Sequence, residues 1–168
     1  MKNKGLLMIV LLLAFCCVLT GYAMTEGATE RLEIDANEVN NVMYVANLQD
    51  GTAIDIDRPE YINRIVTELN DLELRKEDFK IAKDSLSQMS CLAMTCGDVN
   101  NPEDLEFNTV IFLPENRVLC SWGDKSGSYT VSHEHILLVA DEIAEAVVNE
   151  DRYASGTLFI AFPEELLE

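Results

Sequence analysis

The chain has 168 residues, 30 of them acidic and 12 basic, for a formal net charge of −18. A surface that negative repels phosphate backbones and anionic headgroups, which argues against a nucleic-acid-binding role. The length suits one domain with a real core.

Lys2 and Lys4 precede an apolar run from Leu6 to Leu19, followed by Thr20-Gly21-Tyr22-Ala23. That order of charged, apolar and small residues predicts a bacterial export signal, or an N-terminal membrane anchor, over 1–23. Gly21 and Ala23 suit cleavage after Ala23. A lipoprotein box wants a small residue before its cysteine, whereas Phe15 precedes Cys16 and Cys16 precedes Cys17. Gly5 to Met24 approaches the ~20 residues that span a bilayer, so retention as an anchor is the second fate and lipidation the third. All three place the domain outside the cytoplasm, secreted or anchored facing outward. The membrane is then met only through an uncleaved N-terminal segment. Without the two signal lysines, 30 acids face 10 bases in the remainder.

Residues 24–38 read as a flexible acidic tether, and residues 39–168 as a single α+β domain. Val42–Val45 and Ala53–Asp57 predict two strands joined by a hairpin at Asp50-Gly51, where glycine supplies the positive φ of a tight turn. Asp57 is expected to cap a helix, with Glu60 completing a capping-box-like pair and Pro59 in the first turn. Ile62, Ile65, Val66, Leu69 and Leu72 then recur at helical spacing up to Asn70-Asp71. Met89–Cys96, Phe107–Leu113, Val118–Trp122 and Ser128–Val131 predict an antiparallel meander. Asn100-Asn101-Pro102, Pro114-Glu115-Asn116-Arg117 and Asp124-Lys125-Ser126-Gly127 separate these runs. Ser132 opens a second helix with an apolar stripe of Ile136, Val139, Ala140, Ile143, Ala144 and Val147, widened by Leu137 and Val148. Thr157–Phe162 is strand-like, and Pro163 ends it.

The hairpin with Asp50-Gly51, the helix carrying Ile62, Ile65 and Leu69, and the meander resemble small exported or lipid-anchored domains of Gram-positive bacteria. Those families are mostly of unknown function. The resemblance spans about Val39 to Val131. It implies an α+β fold of one sheet with packed helices and carries no functional residues across.

Few side chains suggest chemistry. Cys91, Cys96 and Cys120 remain after the export segment, so at most one internal disulfide can form. Cys91 and Cys96 fall on opposite faces of one strand, which leaves Cys120 as the disulfide partner for either. Three buried free thiols are the favoured alternative. His133-Glu134-His135 differs from the His-Glu-x-x-His metal motif, since its histidines diverge by ~200° on a helix. A surface helix terminus is the simpler role. Asp55 and Asp57 share a strand face near Asp50, but the calcium-loop pattern is missing and Asp57 has the capping task. There is no nucleophile elbow and no phosphate-cradling loop. Trp122 and Tyr129, on adjacent strands, are the candidate partner-binding patch, because such aromatics dominate interfaces. Core packing is their more common fate.

The resulting expectation is an α+β protein, a small antiparallel sheet with two packed amphipathic helices. It would act as a non-enzymatic extracytoplasmic binding or accessory module, with no cofactor, whose partner is an envelope or secreted protein. An acidic inhibitor or immunity-type protein blocking a basic partner is the alternative, and an exported hydrolase the third.

Overall fold

The computed structural model describes residues 29–81, 88–97, 104–122 and 127–149, with the backbone of 155–157. The export segment, the Asn100-Asn101-Pro102 interruption, the first three residues of the Asp124-to-Gly127 turn and the tail from 158 lie outside the described residues.

The fold is α+β. Its nine described strands are β1 (Thr29–Glu30), β2 (Val39–Val45), β3 (Thr52–Ile56), β4 (Leu74–Lys76), β5 (Ser90–Cys96), β6 (Glu106–Leu113), β7 (Arg117–Ser121), β8 (Gly127–Thr130) and β9 (Ser155–Thr157). Two helices, α1 (Pro59–Asn70) and α2 (Glu134–Asn149), complete it. The strands form one antiparallel sheet in the order β1-β4-β8-β7-β6-β5-β2-β3-β9. The sheet is therefore larger than the small one expected.

Side-chain alternation along the strands builds two cores. On the first face, Leu92 and Met94 of β5, Val110 and Phe112 of β6, and Val118 and Cys120 of β7 meet the helices. Ile62, Ile65, Val66 and Leu69 of α1 are buried, as are Ile136, Val139, Ala140, Ile143, Ala144 and Val147 of α2. Each such side chain contributes about 1.5–3 kcal/mol when fully buried, apart from the smaller alanines. On the second face, Cys91, Ala93, Ile111, Leu113 and Leu119 pack under Ile81 and Met89, with Phe79 half-buried beside them. These last three belong to the connection between β4 and β5.

Local chemistry departs from expectation at both ends of the first half. The folded unit starts before the tether reading of 24–38 allows. Thr29 and Glu30 pair with Arg75 and Leu74, while Leu32 is 1% exposed and Ile34 is buried. An acidic stretch concealed two apolar residues spaced by two, which is a strand-like period. Asn70 secures this segment from the end of α1. Its Oδ1 accepts the Ile34 amide at 2.9 Å and its Nδ2 donates to the Ile34 carbonyl at 3.0 Å.

Asp57 does not cap α1. Pro59 occupies the first helical position, so Arg58 is the N-cap, extended at φ −82° and ψ 125° with no side-chain capping bond. The residue before a proline is pushed out of the helical region, which moves the boundary by one. Glu60 pairs with Arg58 instead of closing a capping box. Its carboxyl lies below the usual carboxylate range, first through its own backbone amide and then through Arg58.

Candidate functional site

One end of the sheet gathers three connections that are far apart in sequence. The turn after α1 brings Asp71, Leu72 and Glu73, and Arg75 follows on β4. The hairpin between β6 and β7 brings Asn116, and the end of β8 brings Thr130, Val131 and Ser132. Together they line a cleft of about 450 Å³. That volume lies within the roughly 300–1,000 Å³ of small-ligand sites.

The sheet register accounts for the layout. Arg75 lies opposite Thr130, and Thr130 lies opposite Arg117. Directly paired residues share a face, so the three form a row across the sheet. Leu74, one residue from Arg75, is fully buried in the opposite core, which turns Arg75 outward. Arg117 is occupied: it pairs with Glu115 at 3.3 Å and lies over the Phe79 ring at 5.3 Å. Glu73 is occupied by Arg31 at 2.8 Å. Arg75 and Asp71 differ. Among the described residues, neither the Arg75 guanidinium nor the Asp71 carboxylate has a hydrogen bond or ion pair, and the two do not bond each other.

The hairpin wall is a tight turn. Glu115 and Asn116 have φ of 63° and 58°, a left-handed conformation that only a few per cent of non-glycine residues adopt. The Val131 amide donates to the Asn116 carbonyl at 2.8 Å and holds the turn against the β8 end. Successive positive φ values are the geometry that tight hairpin turns use, and asparagine tolerates them.

The aromatic pair anticipated as a partner patch does not form one. Tyr129 is 2% exposed within the first core, and Trp122 is half-buried against that core. Tyr129 belongs to the inward period of β8, so its ring was committed to packing. The disulfide of Cys120 with Cys91 or Cys96 is also excluded. β6 lies between β5 and β7, and Cys120 pairs through Val110 with Leu92. Two strand spacings of roughly 9.5 Å exceed the ~7 Å limit between bridged Cα atoms. Cys91, Cys96 and Cys120 are free thiols.

Those thiols are poor nucleophiles. Burial pushes Cys91 and Cys120 up to about 12. Cys96 is also raised, first by burial and further by Glu106 and Glu38, with Asn108 acting the other way. A protonated thiol neither attacks nor ligates well. Near neutral pH, Cys91 and Cys120 are therefore expected to react with a disulfide reagent far more slowly in native protein than in urea. Equal rates would contradict the burial argument.

The same shifts set an alkaline limit on stability. A thiol whose folded value is raised keeps its full contribution below the ordinary value of 9.0 and loses it as pH climbs toward about 12. Tyr44 acts in the same direction from 10.0 upward, through burial first and then its 2.7 Å bond to Asp141. The urea midpoint should fall between pH 9 and pH 12, and less steeply in a Cys91→Ala, Cys120→Ala double variant.

His133 and His135 part company. His133 is buried, its Nε2 lies 2.9 Å from the Leu113 carbonyl, and its ring meets Phe112 edge-on at 5.3 Å. A carbonyl only accepts, so Nε2 carries the proton and buried Nδ1 is left without a partner. The surface-terminus reading thus fails for His133 and suits His135, which is exposed and 3.3 Å from Glu68. Phe112 supplies the ring contact and Leu113, 20 residues from His133, the carbonyl, partners that the local pattern could not disclose. Asp55 accepts the Asn41 side-chain amide at 2.8 Å. Among the described residues, no three of His, Cys, Asp and Glu are grouped to hold a metal ion, and no helix is long and apolar enough to cross a membrane.

No family model, curated protein or solved structure matches this chain.

Proposed function

We propose that the chain is an exported, non-enzymatic binding or accessory module that works outside the cytoplasm, secreted or held at the membrane by its N-terminal segment. Its scaffold is a hairpin, a helix and a strand meander with two amphipathic helices packed on one face. Its ligand, or the contacting part of an envelope or secreted partner, seats in the cleft of Asp71, Arg75, Asn116, Thr130 and Ser132.

The single observation that carries the reading is that cleft, lined by two charges that have no partner among the described residues. An unpaired charge on a structured surface is a ready contact for a partner. The high thiol values support a binding role over a cysteine hydrolase. Export rests on the order of residues in 1–23.

Two measurements test it. Protease added to intact producing cells should digest the domain. A photocrosslinking residue at Ser132 should form an adduct in those cells that Arg75→Glu abolishes. A protected domain would overturn export, and an adduct indifferent to Arg75→Glu would overturn the cleft as the binding surface.

The formal charge of −18 favours an acidic inhibitor as the second reading. Such a complex depends on long-range attraction, screened at about 8 Å in physiological salt. Its affinity should then fall steeply between low and physiological ionic strength. Cleft binding should change little over the same range.

A further inference from the structure

The cleft contains an acid and a base that, among the described residues, have no side-chain partner and do not pair with each other. At the cleft, Glu73 and Arg117 are engaged by Arg31 and Glu115, while the Asp71 and Arg75 side chains have no partner among the described residues. Asp71 is placed by the end of α1, where its backbone amide donates to the carbonyls of Thr67 and Leu69. Arg75 is placed by β4, between β1 and β8. Both backbones are held by these elements, and both side chains are exposed at the cleft.

We propose that the cleft binds a small zwitterion, a free amino acid or short peptide carrying both its ammonium and its carboxylate. This rests on the binding-module reading and names the ligand class. Arg75 receives the carboxylate, since its planar guanidinium can donate two parallel hydrogen bonds. Asp71 receives the ammonium. Asn116 offers both a donor and an acceptor, and Ser132 offers a hydroxyl.

The protein's own field selects this class over simpler ions. A net charge of −18 repels any ligand that is anionic overall, so Arg75 alone does not make a site for polyphosphates or acidic polymers. A simple cation gains nothing from Arg75 and finds carboxylates over the whole surface. A ligand with no net charge meets no long-range repulsion and still uses both groups. The wall is mostly polar or charged, with only Leu72 and Val131 apolar and both largely buried, which disfavours a greasy ligand.

The test is titration of the full-length chain with trialanine, followed by calorimetry or by NMR shifts. Trialanine amide and N-acetyl-trialanine each lack one charge. Trialanine should bind saturably, and removal of either charge should weaken it about tenfold. Arg75→Gln should weaken trialanine about tenfold and leave trialanine amide unchanged, while Asp71→Asn should weaken trialanine and leave N-acetyl-trialanine unchanged. Both side chains are exposed, and an unchanged urea midpoint will certify that the variants are folded. No saturable binding of trialanine at millimolar concentration would overturn the proposal, as would equal binding of the capped peptides. If the Ser132 crosslink still depends on Arg75 in cells, that failure falls on the ligand class and leaves the binding surface in place.

Discussion

Gly97→Ala should lower stability by about 3 kcal/mol, because two independent penalties meet at that position. Gly97 has φ of +101°, which side-chain-bearing residues rarely adopt, and an added Cβ would come within 2.2 Å of the Asp104 carbonyl oxygen. The oxygen belongs to backbone, so no rotamer change relieves the overlap. The residue also ties the end of β5 to the start of β2. Its amide donates to the Glu38 carbonyl at 3.1 Å, and its carbonyl accepts the Asn40 side-chain amide at 2.8 Å. A shift that relieved the overlap would strain both bonds. Urea unfolding of the variant gives the number, and a midpoint equal to that of the parent would contradict the argument. Gly127→Ala is the control. Its φ of +152° is also strained, but the nearest atom to the new carbon would be a Tyr129 ring carbon at 3.7 Å, an ordinary contact. It should cost less.

Asn70→Ala should cost about 2–3 kcal/mol and loosen one segment ahead of the rest. The Asn70 amide meets both the N–H and the C=O of Ile34, as an adjacent strand would. Alanine removes both partners together, and these bonds are partly buried. Leaving such groups unsatisfied costs about 1–3 kcal/mol each, offset where water can enter. Asn70→Asp keeps the acceptor but loses the donor and sets a carboxylate against the Ile34 carbonyl, so it should rank beside alanine rather than beside the parent. Hydrogen exchange at the Ile34 amide distinguishes local from global effects. Fast exchange there with little change at Leu92 would show that the segment opens by itself. Unchanged exchange would show that Leu32 and Ile34 hold it through packing alone.

How far the sequence foretold the structure varies with the length of each element. β5 and β6 run seven and eight residues and repeat their alternation enough times to be read. β1 and β4 have two and three residues, too few for any period, and both exist because a neighbour supplies the pairing. The start of α1 was legible in principle: Pro59 constrains Arg58 directly, and that constraint outranks the attraction of an aspartate for capping. Tyr129 was legible too, since the strand period turns it inward. The cleft was not. Asp71, Asn116 and Ser132 come from three connections and carry no shared motif, and only the strand order brings them to one end of the sheet. The burial of His133 depends in the same way on a carbonyl on another strand.

The two ends of the strand order carry a lesson for handling the protein. A β-sheet is a template wherever its outermost hydrogen-bonding groups are bare, and a long flat margin recruits strands from other molecules. Here the outermost positions are held by β1 and β9, which cover Leu74–Arg75 on one side and Thr52–Ile54 on the other. Both lie close to the limits of the described fold, and each acts as a short selvedge on the fabric it borders. A chain shortened to end at Asn149 would keep every residue of both cores named above, yet leave β3 bare along its outer side. Such a piece should fold and then self-associate through β3. Loss of solubility on trimming would thus reflect an uncovered margin rather than a damaged core.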